Sequence, residues 1–273
     1  MVKMTKLMKP SSLLVVVVVL LTSIACGVSV AWLLQPGRRL RSTTPTLSGT
    51  PMDAGDPAYP LVKAVEKWFA EPPNEPALDR FREQWPPTRI HAVLEHEQER
   101  ARRSAVLALA VVGGRSSIDP LIRSLSDQSA TVRQTADAAV WRIWFRLGSE
   151  RANHLVTRAE KHAREGEIEE AFDCIDAAIE DSPEFAEAYN QRAILHFRSG
   201  AYERAIADCR RTLQLMPQHY GAMAGIGQCF MELKRFPEAI DALKRALEIN
   251  PNLRLDRAIE SLESKLRSRR QSA

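Results

Sequence analysis

Apolar side chains recur at helical spacing along most of the chain, with polar side chains at the positions between them. Apolar residues three and four positions apart predict a first amphipathic helix over 60–70 and a second over 78–85. Prolines at 72–73 and 86–87 end these helices, because proline removes a backbone donor and clashes with the preceding turn. The pattern therefore predicts an all-α body.

A second helical pattern starts near Thr88 and is then restated. A helix rich in small residues over 101–109 is followed by a Gly-Gly turn, a short helix over 118–125 and an aspartate at 127. The small-residue helix returns over 131–140, 31 residues further along the chain. The glycine pair ends the first helix, since glycine accepts the backbone conformations that terminate helices.

These residues resemble a HEAT-like repeat of the short bacterial kind, and the resemblance covers about 88–147. In that family an arginine and an aspartate of successive repeats pair between layers. The matching positions here are Arg102, Asp127 and Arg133. His96 stands where the preceding aspartate would be, so the resemblance implies an incomplete ladder of these pairs.

From position 152 onward the pattern repeats with a period of 34 residues, as the spacing of Pro183, Pro217 and Pro251 shows. A fixed period of this length predicts stacked helix pairs. Small residues recur in the same phase and would let the two helices of a pair approach closely. They are Ala159, Ala193 and Gly227 on the first helices and Ala171, Ala205 and Ala239 on the second helices.

The three copies resemble the tetratricopeptide repeat. Gly166 and Gly200 are expected to close the first helix of their pairs in a left-handed conformation. Lys234 replaces that glycine in the third copy, so a different turn is expected there. His162 and His196 depart from the family, which favours an aromatic residue at their position.

The N-terminal segment Ser11 to Leu34 contains no charged residue over 24 positions, which is enough to cross a bilayer as a helix. Two alternatives stay open: a signal peptide cleaved after Ala25, and a lipoprotein attached through Cys26. Three cations on each side give the positive-inside rule little to act on. We expect a single-pass protein, of a bacterial inner membrane, with its body outside the cytoplasm.

The sequence thus predicts a right-handed α-solenoid of stacked antiparallel helix pairs, HEAT-like and then three tetratricopeptide units, with one N-terminal transmembrane helix. The predicted segments are a basic tail (1–10), the transmembrane helix (11–34), a flexible linker (35–59), a helical segment (60–147), the three repeats (152–185, 186–219 and 220–253) and a capping helix (254–268).

Composition argues against several function classes. The net charge is only +4, which gives no case for nucleic acid. No phosphate loop, serine elbow or metal-ligand spacing is present, so we expect no cofactor, no metal and no enzyme activity. The rival class is an enzyme that uses residues such as His196 and Glu232. Three of the four cysteines fall within the repeats and are interpreted as small core residues: Cys174, Cys209 and Cys229.

The resemblance implies that the first helices of the pairs line a concave groove. Ile194, Phe197 and Met231 put an apolar stripe on that face, which suits an extended peptide or an amphipathic helix. The alternative is that this face packs on the C-terminal helix or on the HEAT-like segment. The nine candidate groove residues are Val156, Glu160, Arg164, Asn190, Ile194, Phe197, Arg198, Gln228 and Met231.

Chaperone-binding members of the family clamp a C-terminal carboxylate with Lys and Arg on the third groove helix. The matching positions are Gly221 and Gly225, so no such clamp is expected. The predicted function is a membrane-anchored, non-catalytic scaffold or adaptor that binds a protein or peptide. An anchored subunit or assembly factor of a membrane or envelope enzyme complex is the alternative.

Overall fold

The computed structural model describes residues 52–71 and 73–271. The predicted basic tail and the predicted transmembrane helix lie outside these residues, as does most of the linker. Within the described part of the chain, no helix is both long and apolar enough to cross a membrane. The same part contains thirteen α-helices, one 3₁₀ turn and no strand.

The helices follow one another with short connections. Those before the repeats are α1 (Tyr59–Ala70), α2 (Glu75–Gln84), α3 (Pro87–Val93), α4 (Glu99–Val112), α5 (Ile118–Ser124) and α6 (Ala130–Trp144). The repeat region contains α7 (Glu150–Glu165), α8 (Ile168–Asp181), α9 (Ala186–Arg198), α10 (Tyr202–Leu215), α11 (Tyr220–Glu232) and α12 (Phe236–Ile249), and α13 (Asp256–Gln271) follows.

Helices α1 to α6 share one hydrophobic core. Trp85, which follows α2, is buried there with Ile90, Leu109 and Leu121 of the HEAT-like segment. Asn74 begins α2 as an N-cap, because its side chain accepts the Ala77 backbone N–H at 3.0 Å. The two predicted short helices therefore form part of the HEAT-like body.

The expected arginine–aspartate pair is present between the layers of this body. Arg102 donates to Asp127 from Nε at 2.7 Å and from Nη2 at 3.0 Å. Arg133, 31 residues after Arg102, makes no hydrogen bond to a second aspartate side chain among the described residues. Its Nε donates to Asn252 Oδ1 at 3.1 Å. The series of arginine pairs thus extends to the loop after α12, where the partner of Arg133 is a neutral amide.

The three helix pairs α7–α8, α9–α10 and α11–α12 pack closely through their small residues. A Cβ added to Gly227 would stand 2.6 Å from Leu243 Cδ2, so any larger residue would force the Leu243 side chain to move at this crossing. Ala159 and Ala193, at the equivalent positions of the first two pairs, are 2% and 3% exposed.

The turn inside each pair has the same geometry in all three copies. Gly166 and Gly200 have φ of 86° and 76°, as expected, and Lys234 has φ of 60°. The expectation of a different turn at Lys234 is wrong. Each turn closes with a backbone hydrogen bond of 2.9 Å between residues five apart, as from Arg235 N to Phe230 O, and this bond requires the left-handed residue.

The repeat region folds against the HEAT-like body at one end of its helix pairs. Trp144 of α6 is 1% exposed and stacks on the His219 ring, with centroids 4.0 Å apart. Asp137 of the same helix accepts from Tyr220 Oη at 2.6 Å and from Asn250 Nδ2 at 2.8 Å. Helix α6 therefore joins the two halves of the described body through the loops that precede α11 and follow α12.

Helix α13 covers the last pair. Leu255, just before the helix, and Ile259 and Leu262 within it are buried against the core of the second and third pairs. Lys244 of α12 and Glu263 form an ion pair at 2.8 Å across the contact. This is how a terminal helix closes a stack of repeats.

Candidate peptide-binding face

The first helices of the three pairs, α7, α9 and α11, carry the nine candidate residues on one side, which we call the inner face. The structure divides these residues by exposure. Val156 and Asn190 are buried. Arg164 and Arg198 are exposed. Five are half-buried and form what we call the open part: Glu160, Ile194, Phe197, Gln228 and Met231.

The two buried members do not line a surface. Val156 has no exposed area and belongs to the core of the first pair. Asn190 is 4% exposed, and its Nδ2 donates to Glu187 Oε1 at 3.1 Å. We remove both from the candidate site, because a ligand could reach neither side chain without opening the fold.

Glu187 is the centre of a buried polar network at the N-terminal ends of α9 and α11. It is 1% exposed and accepts from His219 Nε2 at 2.9 Å and from Gln191 Nε2 at 2.6 Å. The Nδ1 of His219 accepts the Ala222 backbone N–H at 3.0 Å, which caps α11. This satisfies the buried carboxylate as burial requires.

Helix α6 covers this network, and the covered region is called the closed end below. The Trp141 ring lies edge-on to His219 at 5.4 Å between centroids. It also fills the space beside Gly221, where an added Cβ would be 2.5 Å from the Trp141 ring. The alternative that the inner face packs on the HEAT-like segment thus holds for the closed end only.

The stack covers the apolar side chains of the open part incompletely. Phe197 and Met231 pack with one side on the core of the second and third pairs. The Phe197 ring also meets Tyr202 of α10 edge-on at 5.4 Å. Ile194, on the turn between Asn190 and Phe197 in α9, is likewise half-buried.

Glu160 adds an acid to this apolar row. Burial, with a smaller contribution from the nearby Glu187 carboxylate, raises the pKa of Glu160 to about 7, while Arg164 acts in the opposite direction. Glu160 has no hydrogen-bond or ion-pair partner among the residues that the structure describes. The carboxyl group therefore changes its charge near neutral pH.

The two arginines at the edge of the inner face differ in their hydrogen bonds. Arg198 donates from Nη2 to the Ala163 carbonyl at 3.0 Å, which ties α9 to α7. Arg164, one turn after Glu160 on α7, is exposed and makes no hydrogen bond within the described ranges.

The residues of the rival enzyme hypothesis do not share a site. His196 lies between layers: its ring packs on Phe172 at 4.9 Å and its Nε2 is 3.7 Å from Asp208. Burial, the largest cause, lowers the pKa of His196. Glu232 lies on α11, and no hydrogen bond or ion pair joins it to His196 within the described part of the chain. The three described cysteines are buried, as expected, and burial raises the pKa of the Cys229 thiol to about 12.

One cluster of metal-ligand types occurs among the described residues, at the turn between α7 and α8. His162, Glu165 and Glu167 have ligand atoms within 4.8 Å of one another. His162 Nδ1 lies 2.6 Å from Glu167 Oε2, and both glutamates are exposed. A histidine–glutamate pair across a solvent-exposed turn accounts for this geometry without a metal.

Reasoning from sequence missed the closed end. Glu187 precedes Asn190 by one helical turn, and an acid at the start of a repeat helix is ordinary in sequence. The informative signal was the pair Trp141 and Trp144, because two tryptophans on one helix need a large apolar partner.

Family models described as tetratricopeptide repeat match residues 156–220 and 196–266, and one described as PBS lyase HEAT-like repeat matches 101–127. A TPR repeat-containing protein of Rhizobium etli is 32% identical over 108 residues, which are 40% of this chain and 53% of that protein. Anaphase-promoting complex subunit 3 of Schizosaccharomyces pombe is 33% identical over 86 residues, 32% of this chain and 13% of that protein.

Among solved structures, the first TPR of Spaghetti (RPAP3) bound to the HSP90 peptide SRMEEVD superposes with a TM-score of 0.42 at 24% identity, over 43% of this chain and 94% of that one. The APC/C hetero-tetramer Cut9-Hcn1 gives 0.42 at 14% identity, over 76% and 46%. The match spans about half the length of the Rhizobium relative and less of the yeast one. The family models support tetratricopeptide repeats within 156–266 and a HEAT-like repeat over 101–127.

Proposed function

We propose that this chain is a non-catalytic scaffold that binds a segment of another protein on the open part of the inner face. The observation that supports the proposal is the row of half-buried apolar side chains Ile194, Phe197 and Met231, which neither the stack nor α6 covers fully. Apolar groups shared by neighbouring helices, with polar groups beside them, suit an extended peptide or an amphipathic helix.

The repeats themselves favour the same class of function. Stacked helix pairs present extended surfaces formed by equivalent positions of successive repeats, and such surfaces bind other proteins. Half-buried Gln228 and exposed Arg164 offer hydrogen-bond donors at the margin of the apolar row. They would contact the backbone or the charges of the bound segment.

Site-specific photo-crosslinking in cells tests this proposal. A photoreactive residue at Gln228 should give a discrete adduct with one partner, and Phe197→Ala in the same chain should abolish it. The control position is Ala207, an exposed residue of α10 away from the inner face. Equal adducts from both positions, or an adduct that survives Phe197→Ala, would contradict the proposal.

We further propose that the scaffold is held at a membrane by the uncharged segment 11–34, with its solenoid right-handed and its body outside the cytoplasm. The support is the length of that segment, 24 residues without a charge. The protein should stay in the membrane fraction through a carbonate wash and retain Met1. A mature chain that begins at Cys26 or Trp32 would overturn the single-pass anchor, and a lipid on Cys26 would make the protein a lipoprotein.

A further inference from the structure

The inner face carries negative charge that its hydrogen bonds do not neutralise. Glu187 accepts from Asn190, Gln191 and His219. The first two donors are amides. The third donor is His219 Nε2, since the Nδ1 of that ring accepts the Ala222 N–H. The Glu187 carboxylate is therefore hydrogen-bonded without a lysine or arginine partner among the described residues.

Glu160 faces this charge from the neighbouring helix. It is half-buried and lacks a hydrogen-bond donor within the described part of the chain. Burial and the Glu187 charge both raise its pKa, and Arg164 lowers it. Arg198, on the helix that carries Glu187, has one guanidinium nitrogen bonded to the Ala163 carbonyl. No lysine or arginine thus forms an ion pair with either glutamate among the described residues.

The surroundings of Glu160 specify what a ligand must offer. Ile194 and Gln228 occupy the equivalent positions of the next two first helices, at offsets of 34 residues. Phe197 lies one turn beyond Ile194 on the same side of α9. A group that satisfies Glu160 must donate hydrogen bonds, and its neighbours must be apolar to cover Ile194 and Phe197.

We propose that the open part selects protein segments in which a lysine or arginine is flanked by apolar residues. The cation binds the Glu160 carboxylate, and the apolar neighbours lie on Ile194, Phe197 and Met231. This rests on the proposed function, because it identifies the chemistry of the segment bound there. It also fits Gly221 and Gly225, which give this face no cation for an acidic ligand at those positions.

A positional-scanning library of short peptides, capped at both ends and free of charge outside the scanned position, measures this preference directly. The full chain, purified in mild detergent, is compared with Glu160→Gln and Phe197→Ala at pH 8, where Glu160 is ionised. We expect enrichment of Lys and Arg at one position beside apolar residues. In Glu160→Gln that enrichment should fall about tenfold, as for the loss of a charged hydrogen bond, while the apolar preference persists.

The possible outcomes separate the two proposals. Enrichment of apolar residues alone, or of acidic residues, overturns the inference but leaves the proposed function standing. Peptide capture that is weak in the parent and equal in Phe197→Ala overturns both. Peptides that copy the chain's own basic segments, 1–10 and 35–46, are included as competitors. If either one binds better than every library peptide, the occupant is a segment of this chain and the inference fails.

Discussion

The two parts of the inner face lie on the same first helices of the repeats but in different environments. At the closed end, α6 lies over Glu187 and His219, and Trp144 is 1% exposed between the two halves of the body. In the open part, Ile194 and Phe197 lie about two to three turns further along the same α9 and are half-buried. Sequence position within a repeat sets the direction of a side chain, but the neighbouring segment decides whether a ligand can reach it.

The closed end and the open part also differ in the surroundings of their glutamates. Glu187 has three hydrogen-bond donors around it, so its burial is compatible with a charge. Glu160 has none among the described residues, and burial raises its pKa to about 7. A satisfied acid stabilises the junction of two segments, whereas an unsatisfied acid marks a place where a ligand can supply the missing donor.

The largest expected effect comes from breaking the closed end. Trp144→Ala should reduce the free energy of unfolding by about 3–5 kcal/mol, because a fully buried ring is replaced by a cavity between the two halves. Urea unfolding followed by circular dichroism gives the value.

Trp144→Phe is the matched control. It keeps an aromatic ring against His219 and removes an indole N–H that has no partner in the described residues, so it should cost less than about 1.5 kcal/mol. A cost below about 1 kcal/mol for Trp144→Ala would mean that α6 does not cover this end.

The open part should make stability depend on pH through Glu160. Its folded pKa of about 7 exceeds its ordinary value of 4.5, so folding takes up a proton between these values. Unfolding free energy should therefore fall as pH rises from 4.5 to 7, by about 1–3 kcal/mol. Glu160→Gln should remove most of this decline and be more stable than the parent at pH 8.

The control for this pH series is Glu180→Gln, which replaces an exposed glutamate of α8. It should leave the decline unchanged. If the parent shows no fall in stability between pH 4.5 and 7, or if Glu160→Gln shows the same fall, Glu160 is well solvated and the contrast with Glu187 disappears.

Overpacking the helix pair behind the open part tests whether the packing phase of the repeat is assigned correctly. Ala205 is 1% exposed, where α10 crosses α9. Ala205→Leu should cost about 1–3 kcal/mol by forcing these helices apart. On the same helix, Ala207 is exposed, and Ala207→Leu should change stability by less than about 0.5 kcal/mol. Equal effects of the two substitutions would show that the phase of the repeat is assigned wrongly.

The smallest expected effect on stability concerns the turns between the two helices of each pair. Lys234 adopts φ of 60°, which an L-residue with a Cβ reaches only at a cost. Lys234→Gly should therefore stabilise the fold by about 0.5–1 kcal/mol after the greater freedom of glycine in the unfolded chain is subtracted.

Gly200→Ala is the reciprocal change, in the equivalent turn of the second pair, where a Cβ would meet nothing within 4 Å. It should destabilise by about 1 kcal/mol through backbone conformation alone. Stabilisation by Gly200→Ala, or destabilisation by Lys234→Gly, would contradict the left-handed turns.

The repeats and most of the helices could be predicted from sequence because they depend on local periodicity. The 34-residue spacing and the left-handed glycines follow from residue type and offset, and the Arg102–Asp127 pair was implied by the resemblance to HEAT-like repeats. The left-handed turn at Lys234 could not be predicted, since the hydrogen bonds that close the turn of its helix pair outweigh the conformational preference of one residue. The burial of Asn190 also escaped prediction, because it depends on how neighbouring helices pack around α9 rather than on the α9 sequence itself.

The most direct test of the central claim is the double readout of Phe197→Ala, with partner adduct formation measured beside urea unfolding. In Phe197→Ala the adduct from position 228 should be lost, because a partly exposed aromatic anchor contributes about 2 kcal/mol or more to such an interface. Unfolding free energy should fall by only about 1 kcal/mol, since Phe197 is half-buried. A loss of about 3–5 kcal/mol with the adduct retained would show that Phe197 belongs to the core and that the partner binds elsewhere.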